Sequence, residues 1–182
     1  TSTNPIPLAN LDANFAAVSA KLSQIVSVED FGAVGDGVTD DTASIQLAFD
    51  YGGCVFFGSE MCIRDSININ NDITILGYGA TLKQKNGAAI TNGDGLIKSL
   101  SDNKFVIYGL KLDGNASNQT ATYASYNFIW NSIGSMELYD CWIGNTKGHA
   151  IRTGNIDDFN AAYFAHNVVI QNCQIIQGVA AQ

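Results

Sequence analysis

Three stretches of this chain superimpose at spacings of 31 and 32 residues, and that repeat limits the fold more than any single motif. Ile107-Tyr108-Gly109-Leu110-Lys111-Leu112 aligns with Leu138-Tyr139-Asp140-Cys141-Trp142-Ile143 and with Ile170-Gln171-Asn172-Cys173-Gln174-Ile175. A fainter copy starts at Ile75-Leu76-Gly77. The first, fourth and sixth positions are apolar, the second and fifth polar or amphipathic, and the third is always Gly, Asp or Asn. Those three residues tolerate the left-handed backbone best, so the third position reads as a sharp bend between two short strands. Alternation on both sides of a recurring bend predicts an all-β, single-stranded parallel β-helix in which like residues stack in ladders. Tyr108, Tyr139 and Gln171 then form one outer ladder, and Lys111, Trp142 and Gln174 another. Cys141 and Cys173 share an inward position, where a thiol acts as a small hydrophobe; their spacing fits no zinc pattern.

The charge balance narrows the partners. With nine Lys plus Arg and a net charge of −8, the chain is a poor match for nucleic acid or anionic lipid. Strongly anionic polysaccharide is disfavoured for the same reason unless a cation bridges it. No run approaches the roughly 18 apolar residues of a membrane span, and the N-terminus lacks the charged-then-apolar pattern of a secretion signal. No membrane insertion is expected. The chain opens at Thr1 and not at Met, so its natural start is expected upstream.

Residues 1–26 differ from the rest. Leu8, Leu11, Phe15, Val18, Leu22 and Ile25 recur at alternating spacings of three and four, a short heptad seam. Two readings are open: a helix laid across the end of the β-helix, or a parallel bundle at an oligomer axis. Beyond it, a strand, glycine-rich turns and a helix from about Thr42 to Phe49 are expected, with Asp40 or Asp41 as N-cap and Ile45, Ala48 and Phe49 as the buried stripe. Asp36, Asp40 and Asp41 fit turn and cap chemistry without an EF-hand's twelfth-position Glu, so no metal or other cofactor is assigned.

Asp30-Phe31-Gly32-Ala33, Gly35-Asp36-Gly37, Thr39-Asp40-Asp41-Thr42 and Ile45-Gln46 occur in the order of the opening motif of the pectate-lyase-like superfamily, and the segment resembles it closely. The resemblance implies a right-handed parallel β-helix whose first strand and short capping helix lie here; it marks the fold and not a reaction. The preceding Pro7-Leu8-Ala9-Asn10-Leu11-Asp12-Ala13-Asn14-Phe15 resembles the stem before this domain in bacteriophage tailspikes and tail fibres. The implied organisation is a stem at 1–26 and the N-terminal part of a β-helix at 27–182, truncated at its C-terminal side.

Residues 58–66 depart from that family, which has Pro-Gly and an aromatic strand where this chain has Gly58-Ser59-Glu60-Met61-Cys62-Ile63-Arg64-Asp65-Ser66. The stretch lacks strand alternation and reads as adapter-derived sequence or a divergent loop, so Cys62 and Arg64 receive no functional weight. Residues 113–132 and 153–166 read as polar insertions between repeats, the places where solenoids often carry binding function. The sequons at Asn115 and Asn118 are chance matches in such a loop.

The two outer ladders are the candidate glycan-binding residues: Tyr108, Tyr139 and Gln171 with Lys111, Trp142 and Gln174. Aromatic faces beside amides suit sugar rings, which offer apolar C–H faces fringed by hydroxyls; packing against a second subunit is the competing role. Glycoside hydrolysis needs two carboxyl groups. The weak candidates are Asp113, Glu137, Asp140, Asp157 and Asp158, with a backbone role preferred for Asp140. Eliminative cleavage needs a base and usually calcium, for which no cluster stands out. Gly148-His149-Ala150-Ile151-Arg152 loosely resembles polygalacturonase motifs, but their paired aspartates have no counterpart, and His149 reads as a turn residue.

The resemblance implies a tailspike component, in the virion or extracellular, that recognises bacterial surface polysaccharide and, if enzymatic, depolymerises it as a hydrolase or lyase. A homotrimer and contacts with other tail proteins follow from the same likeness. A secreted pectin-active lyase or hydrolase and a non-catalytic receptor-binding or structural fibre are the alternatives.

Overall fold

The structure is a computed structural model and describes residues 7–22, 25–88, 95–119, 127–154 and 167–177. Two α-helices, α1 (Leu8–Leu22) and α2 (Thr42–Tyr51), and two short 3-10 turns accompany sixteen short strands among the described residues. These are β1 (Ile25–Ser27), β2 (Asp36–Asp40), β3 (Gly53–Phe56), β4 (Glu60–Ile63), β5 (Ile67–Asn68), β6 (Ile73–Leu76), β7 (Thr81–Gln84) and β8 (Gly95–Ser99). The second half holds β9 (Lys104–Tyr108), β10 (Lys111–Asp113), β11 (Asn127–Asn131), β12 (Ser135–Tyr139), β13 (Trp142–Thr146), β14 (His149–Thr153), β15 (Asn167–Gln171) and β16 (Gln174–Gln177).

From β3 onward, every third strand returns to the same sheet. Sheet A stacks β1-β3-β6-β9-β12-β15, sheet B stacks β2-β4-β7-β10-β13-β16, and sheet C stacks β5-β8-β11-β14. The pairings are parallel, giving a right-handed parallel β-helix. Register follows the 31- and 32-residue repeat: Ile75, Ile107, Leu138 and Ile170 align across sheet A. Leu82, Leu112, Ile143 and Ile175 do so across sheet B. Because side chains alternate faces, this register sends one apolar ladder from each sheet into a common core. Ile75, Ile107, Leu138, Leu82, Leu112 and Ile143 are all fully buried.

The predicted bend is where the sequence puts it. Gly109, Asp140 and Asn172 have φ of 66°, 55° and 54°. The fainter copy is built differently. Four residues, not two, separate β6 from β7, and the left-handed residue there is Gly79, with φ of 85°. The longer turn throws Tyr78 over the next rung: a Cβ at Gly109 would lie 2.2 Å from Tyr78 Cδ1. Asp140 and Asn172 take nearly the same angle at the equivalent corners, so it is the ring above that calls for glycine at 109. The Tyr78 hydroxyl reaches one rung further and donates to Asp140 Oδ2 at 2.9 Å. Tyr78→Phe keeps the ring and removes this exposed charge-assisted bond, so a small fall in the urea unfolding midpoint is expected, and an unchanged midpoint would show that solvent replaces the bond without cost.

In the first rung, α2 stands in the place of a third strand. Ile45, Ala48 and Phe49 are buried as the spacing predicts. Gln46 acts as a surrogate strand: its Nε2 donates to the Asn68 carbonyl at 3.0 Å, and the Asn68 N–H donates to its Oε1 at 2.8 Å. The first edge of sheet C is thereby satisfied by a side-chain amide. Asp41 occupies the N-cap position without capping α2; its carboxylate accepts the N–H groups of Val34 at 2.7 Å and Gly35 and Cys62 at 3.4 Å. Asp40 instead accepts from Thr42 N and Oγ1.

Three expectations need correction. The seam does not run to Ile25, because α1 ends at Leu22 and Ile25 opens β1. Described α1 side chains from Ala9 to Ala20 are exposed, so the helix does not bury its seam against the body. Residues 58–66 are not simply a loop: Glu60–Ile63 pairs with both β2 and β7, and Met61 and Ile63 are fully buried. Two apolar side chains at alternate positions sufficed, although Cys62 between them hid the period. The insertion at 113–132 is also shorter than expected, because Asn127–Asn131 forms β11.

Candidate functional site

The αL bend sorts the six ladder candidates into two sets. Leu76, Tyr108, Tyr139 and Gln171 align on the outside of sheet A. Thr81, Lys111, Trp142 and Gln174 align on the outside of sheet B. The ladders are neighbours, but their sheets wrap one core, so the side chains diverge from a ridge and do not close a cleft.

On the sheet A side, Tyr108 and Tyr139 stack with centroids 5.0 Å apart and planes at 13°. Each covers one face of the other, so this pair serves a ligand through ring edges and hydroxyls more than through an open face. On the sheet B side, Trp142 runs along β13 and fills the space left by a missing side chain: a Cβ at Gly144 would lie 2.9 Å from its Cη2. Lys111 Nζ sits 5.0 Å from the indole centroid and 3.9 Å from Asp113 Oδ2. Gln174 continues the ladder and is exposed. A half-buried indole flanked by a cation, a carboxylate and an amide sets an apolar ring beside hydrogen-bond donors and acceptors on one outer face.

Among the described residues, the carboxylate candidates Asp113, Glu137 and Asp140 are already committed to other groups. Asp113 Oδ1 accepts Asn115 N–H at 2.8 Å and Asn145 Nδ2 at 2.7 Å, pinning the start of the insertion. Asn115 is 4% exposed, with φ of 48°, and its Nδ2 donates to the Gln84 carbonyl and to Asn86 Oδ1. That sequon is therefore a structural asparagine. Glu137 pairs with Lys104 Nζ at 2.7 Å and accepts from the Tyr139 hydroxyl at 3.2 Å. The Lys104 bond holds the Glu137 carboxyl below its ordinary range and raises the lysine. Burial and the bond to Glu137 raise the Tyr139 phenol. A carboxylate held ionised is a poor proton donor, which argues against Glu137 as a general acid. Asp140 turns the backbone and accepts from Tyr78, whose phenol is raised by that bond. Asp157 and Asp158 lie outside the described residues.

The cysteines behave as packing. Cys141 is 2% exposed, its N–H donates to Cys173 Sγ at 3.4 Å, and both are free thiols. Burial, with Cys173 adding to it, pushes the Cys141 thiol up to about 12. His149 is the exposed first residue of β14, not a turn residue.

Two features escaped the sequence reading. Sheet C places Lys98 and Arg152 one strand either side of position 130, in a single register. Lys98 alternates with the buried Ile97 and Ser99, a period visible in Gly95–Ser99 but too short to stand out. The second is a groove of about 880 Å³ on the outside of sheet A, bordered by Ala20 and Tyr51 and floored by Cys54, Thr74 and Val106, with Lys104 at its end. Its lining comes from residues far apart in the chain, so no local signal marks it.

Rungs of three parallel strands, a left-handed residue at one corner and a capping helix before the second rung define a pectate-lyase-like β-helix. Residues 25–118 match the family described as rhamnogalacturonase A/epimerase, pectate lyase-like, and the chain belongs to that family. It is 34% identical over 114 residues to mannuronan C5-epimerase AlgE1 of Azotobacter vinelandii, a match spanning 52% of this chain and 8% of that protein. Among solved structures it resembles ORF18 of Geobacillus virus E2, at a TM-score of 0.60 and 22% identity over 83% of this chain and 31% of the other. The A-module of Azotobacter vinelandii mannuronan C-5 epimerase AlgE6 is similar at a TM-score of 0.59 and 18% identity, covering 81% of this chain and 43% of the module. These structural likenesses concern the fold, and the chain spans less than a tenth of the AlgE1 relative.

Proposed function

We propose that this chain forms the opening rungs of a β-helix that binds polysaccharide, as part of a phage tail protein that meets the bacterial surface. The observation that carries the reading is the Lys111-Trp142-Gln174 ladder, which sets a half-buried indole between a cation and an amide on an outer face. Family membership and the likeness to polysaccharide epimerases support a carbohydrate ligand. The stem resemblance, the exposed α1 and the likeness to a phage protein support a virion or extracellular setting. A cleavage activity is not assigned to the described carboxylates, because Asp113, Glu137 and Asp140 are each engaged in holding structure or in an ion pair. A non-catalytic receptor-binding fibre is the second reading, and that engagement favours it over a secreted pectin-active lyase or hydrolase.

The direct test is a binding screen of the complete protein against isolated bacterial capsule and lipopolysaccharide glycans, with product analysis on every glycan bound. Binding without new reducing or unsaturated ends indicates a receptor-binding fibre, and new ends a depolymerase. Binding to none of the glycans would remove the proposal.

A homotrimer belongs to the same reading, with α1 as the element that brings copies together. Light scattering on the complete protein, with and without residues 1–26, is expected to give a trimer and a smaller species. A monomer in both forms would end the stem argument.

A further inference from the structure

Tyr78 lies on the corner between the two outer ladders and belongs to neither. Its turn is tied to the body: Ala80 N–H donates to the Gly77 carbonyl at 2.9 Å, and Gly77 N–H donates to the Tyr108 carbonyl of the next rung at 2.8 Å. The ring covers Gly109, where a Cβ would meet Cδ1, Cγ and Cε1 at 2.2, 2.5 and 2.6 Å, and the hydroxyl is fixed on Asp140 of the rung beyond. The residue is nevertheless 60% exposed, so one side of the ring lies on backbone while the other meets solvent. Holding an exposed aromatic by both its ring and its hydroxyl restricts its rotamers before any ligand arrives, which lowers the entropic cost of stacking on it. Tyr108 precedes Gly109, Lys111 follows it by two residues, and Trp142 follows Asp140 by two. The ladders that diverge from the corner are thus joined across it by the Tyr78 ring.

We propose that Tyr78 is a sugar-stacking residue that unites the two ladders into one site for an uncharged oligosaccharide. The proposal rests on the polysaccharide reading above and adds to it a binding residue and a ligand class. An apolar ring face beside hydrogen-bonding groups matches a sugar, with its C–H face and fringe of hydroxyls.

Charge selects the class. The lysines of β7, β9 and β10 are each matched by a carboxylate: Lys83 by Glu60 at 3.3 Å, Lys104 by Glu137 at 2.7 Å and Lys111 by Asp113 at 3.9 Å. Asp140 adds a further carboxylate at the corner itself. A uronate laid here meets no surplus cation, whereas neutral hydroxyls donate to Asp140 and both donate to and accept from the phenol.

The experiment measures affinity and melting temperature for the complete protein against purified capsular polysaccharides and O-antigens, both uncharged and uronate-bearing. The variants are Tyr78→Ala, which removes the ring; Tyr78→Leu, which still covers Gly109 without a flat face; Tyr78→Phe, which gives up only the bond to Asp140; and Trp142→Ala. An uncharged glycan is expected to bind the wild type and to lose at least about tenfold in affinity with Tyr78→Ala and Tyr78→Leu, as for an aromatic hot spot. Tyr78→Phe is expected to stay within about threefold of the wild type, the scale of one exposed hydrogen bond. A role confined to the Asp140 bond would instead move all three Tyr78 variants together, and that result overturns the proposal. Binding that weakens in Trp142→Ala but not in Tyr78→Ala or Tyr78→Leu overturns the Tyr78 assignment and leaves the polysaccharide reading standing. Affinity confined to uronate-bearing glycans overturns the ligand class and likewise leaves that reading standing. Binding to none of the glycans overturns both.

Discussion

Gly134→Ala is expected to destabilise the β-helix by about 3 kcal/mol or more, at the upper end of overpacking effects. A Cβ at position 134 would lie 2.1 Å from the Asn103 carbonyl oxygen, 2.9 Å from that of Ser101 and 3.0 Å from Asn103 N. All three are backbone atoms of the rung below, so no side chain can rotate away. The site is also tied down on both sides: Ser135 N–H donates to the Asn103 carbonyl at 2.9 Å, and Asn131 Nδ2 donates to the Gly134 carbonyl at 2.8 Å. Any shift that admits the methyl group breaks one of these bonds. Urea unfolding of the complete protein measures the effect, and a loss below about 1 kcal/mol would show that the two rungs pack less tightly here than described.

Leu138→Ala is expected to cost about 2–5 kcal/mol, the range for large-to-small substitutions in a closed core. Leu138 is fully buried and aligned between Ile107 and Ile170. Its β12 backbone is held in parallel ladders on both sides, so the walls of the vacated space cannot collapse freely. The denaturation midpoint should fall with little change in slope. A cost under about 1 kcal/mol would mean that the apolar ladder is not a continuous core.

The repeat made the fold legible because a β-helix writes its register into the chain. The 107, 138 and 170 positions and the 111, 142 and 174 positions pair as their spacing demands, and the left-handed bend falls on Gly109, Asp140 and Asn172. Sheet C was illegible for the converse reason. Its shortest strand, β5, has two residues, and β11 is flanked by asparagines, so neither shows enough alternation to be told from a loop. The role of Gln46 as a surrogate strand was also hidden, since only a partner 22 residues away reveals it. The candidate site was legible as a set of residues but not as a shape. Spacing put Tyr139 and Trp142 on outer positions; it did not show that the corner between them splays the two ladders apart, or that Tyr139 already stacks on Tyr108. Glu137 and Asp113 looked available because their partners, Lys104 and Asn145, sit on neighbouring rungs.

Trp142→Ala is the variant that bears most directly on the proposed binding of polysaccharide by the Lys111-Trp142-Gln174 ladder. Glycan affinity and melting temperature are measured side by side on the complete protein. The indole lies on the outside of β13, while the adjacent Cys141 and Ile143 are buried, so its removal should leave the core intact. Affinity is expected to fall by about 1–3 kcal/mol, as for an aromatic hot spot, with the melting temperature nearly unchanged. Unchanged affinity per folded protein, together with a lower melting temperature or a dissociated oligomer, would contradict the account and make the ladder a subunit contact.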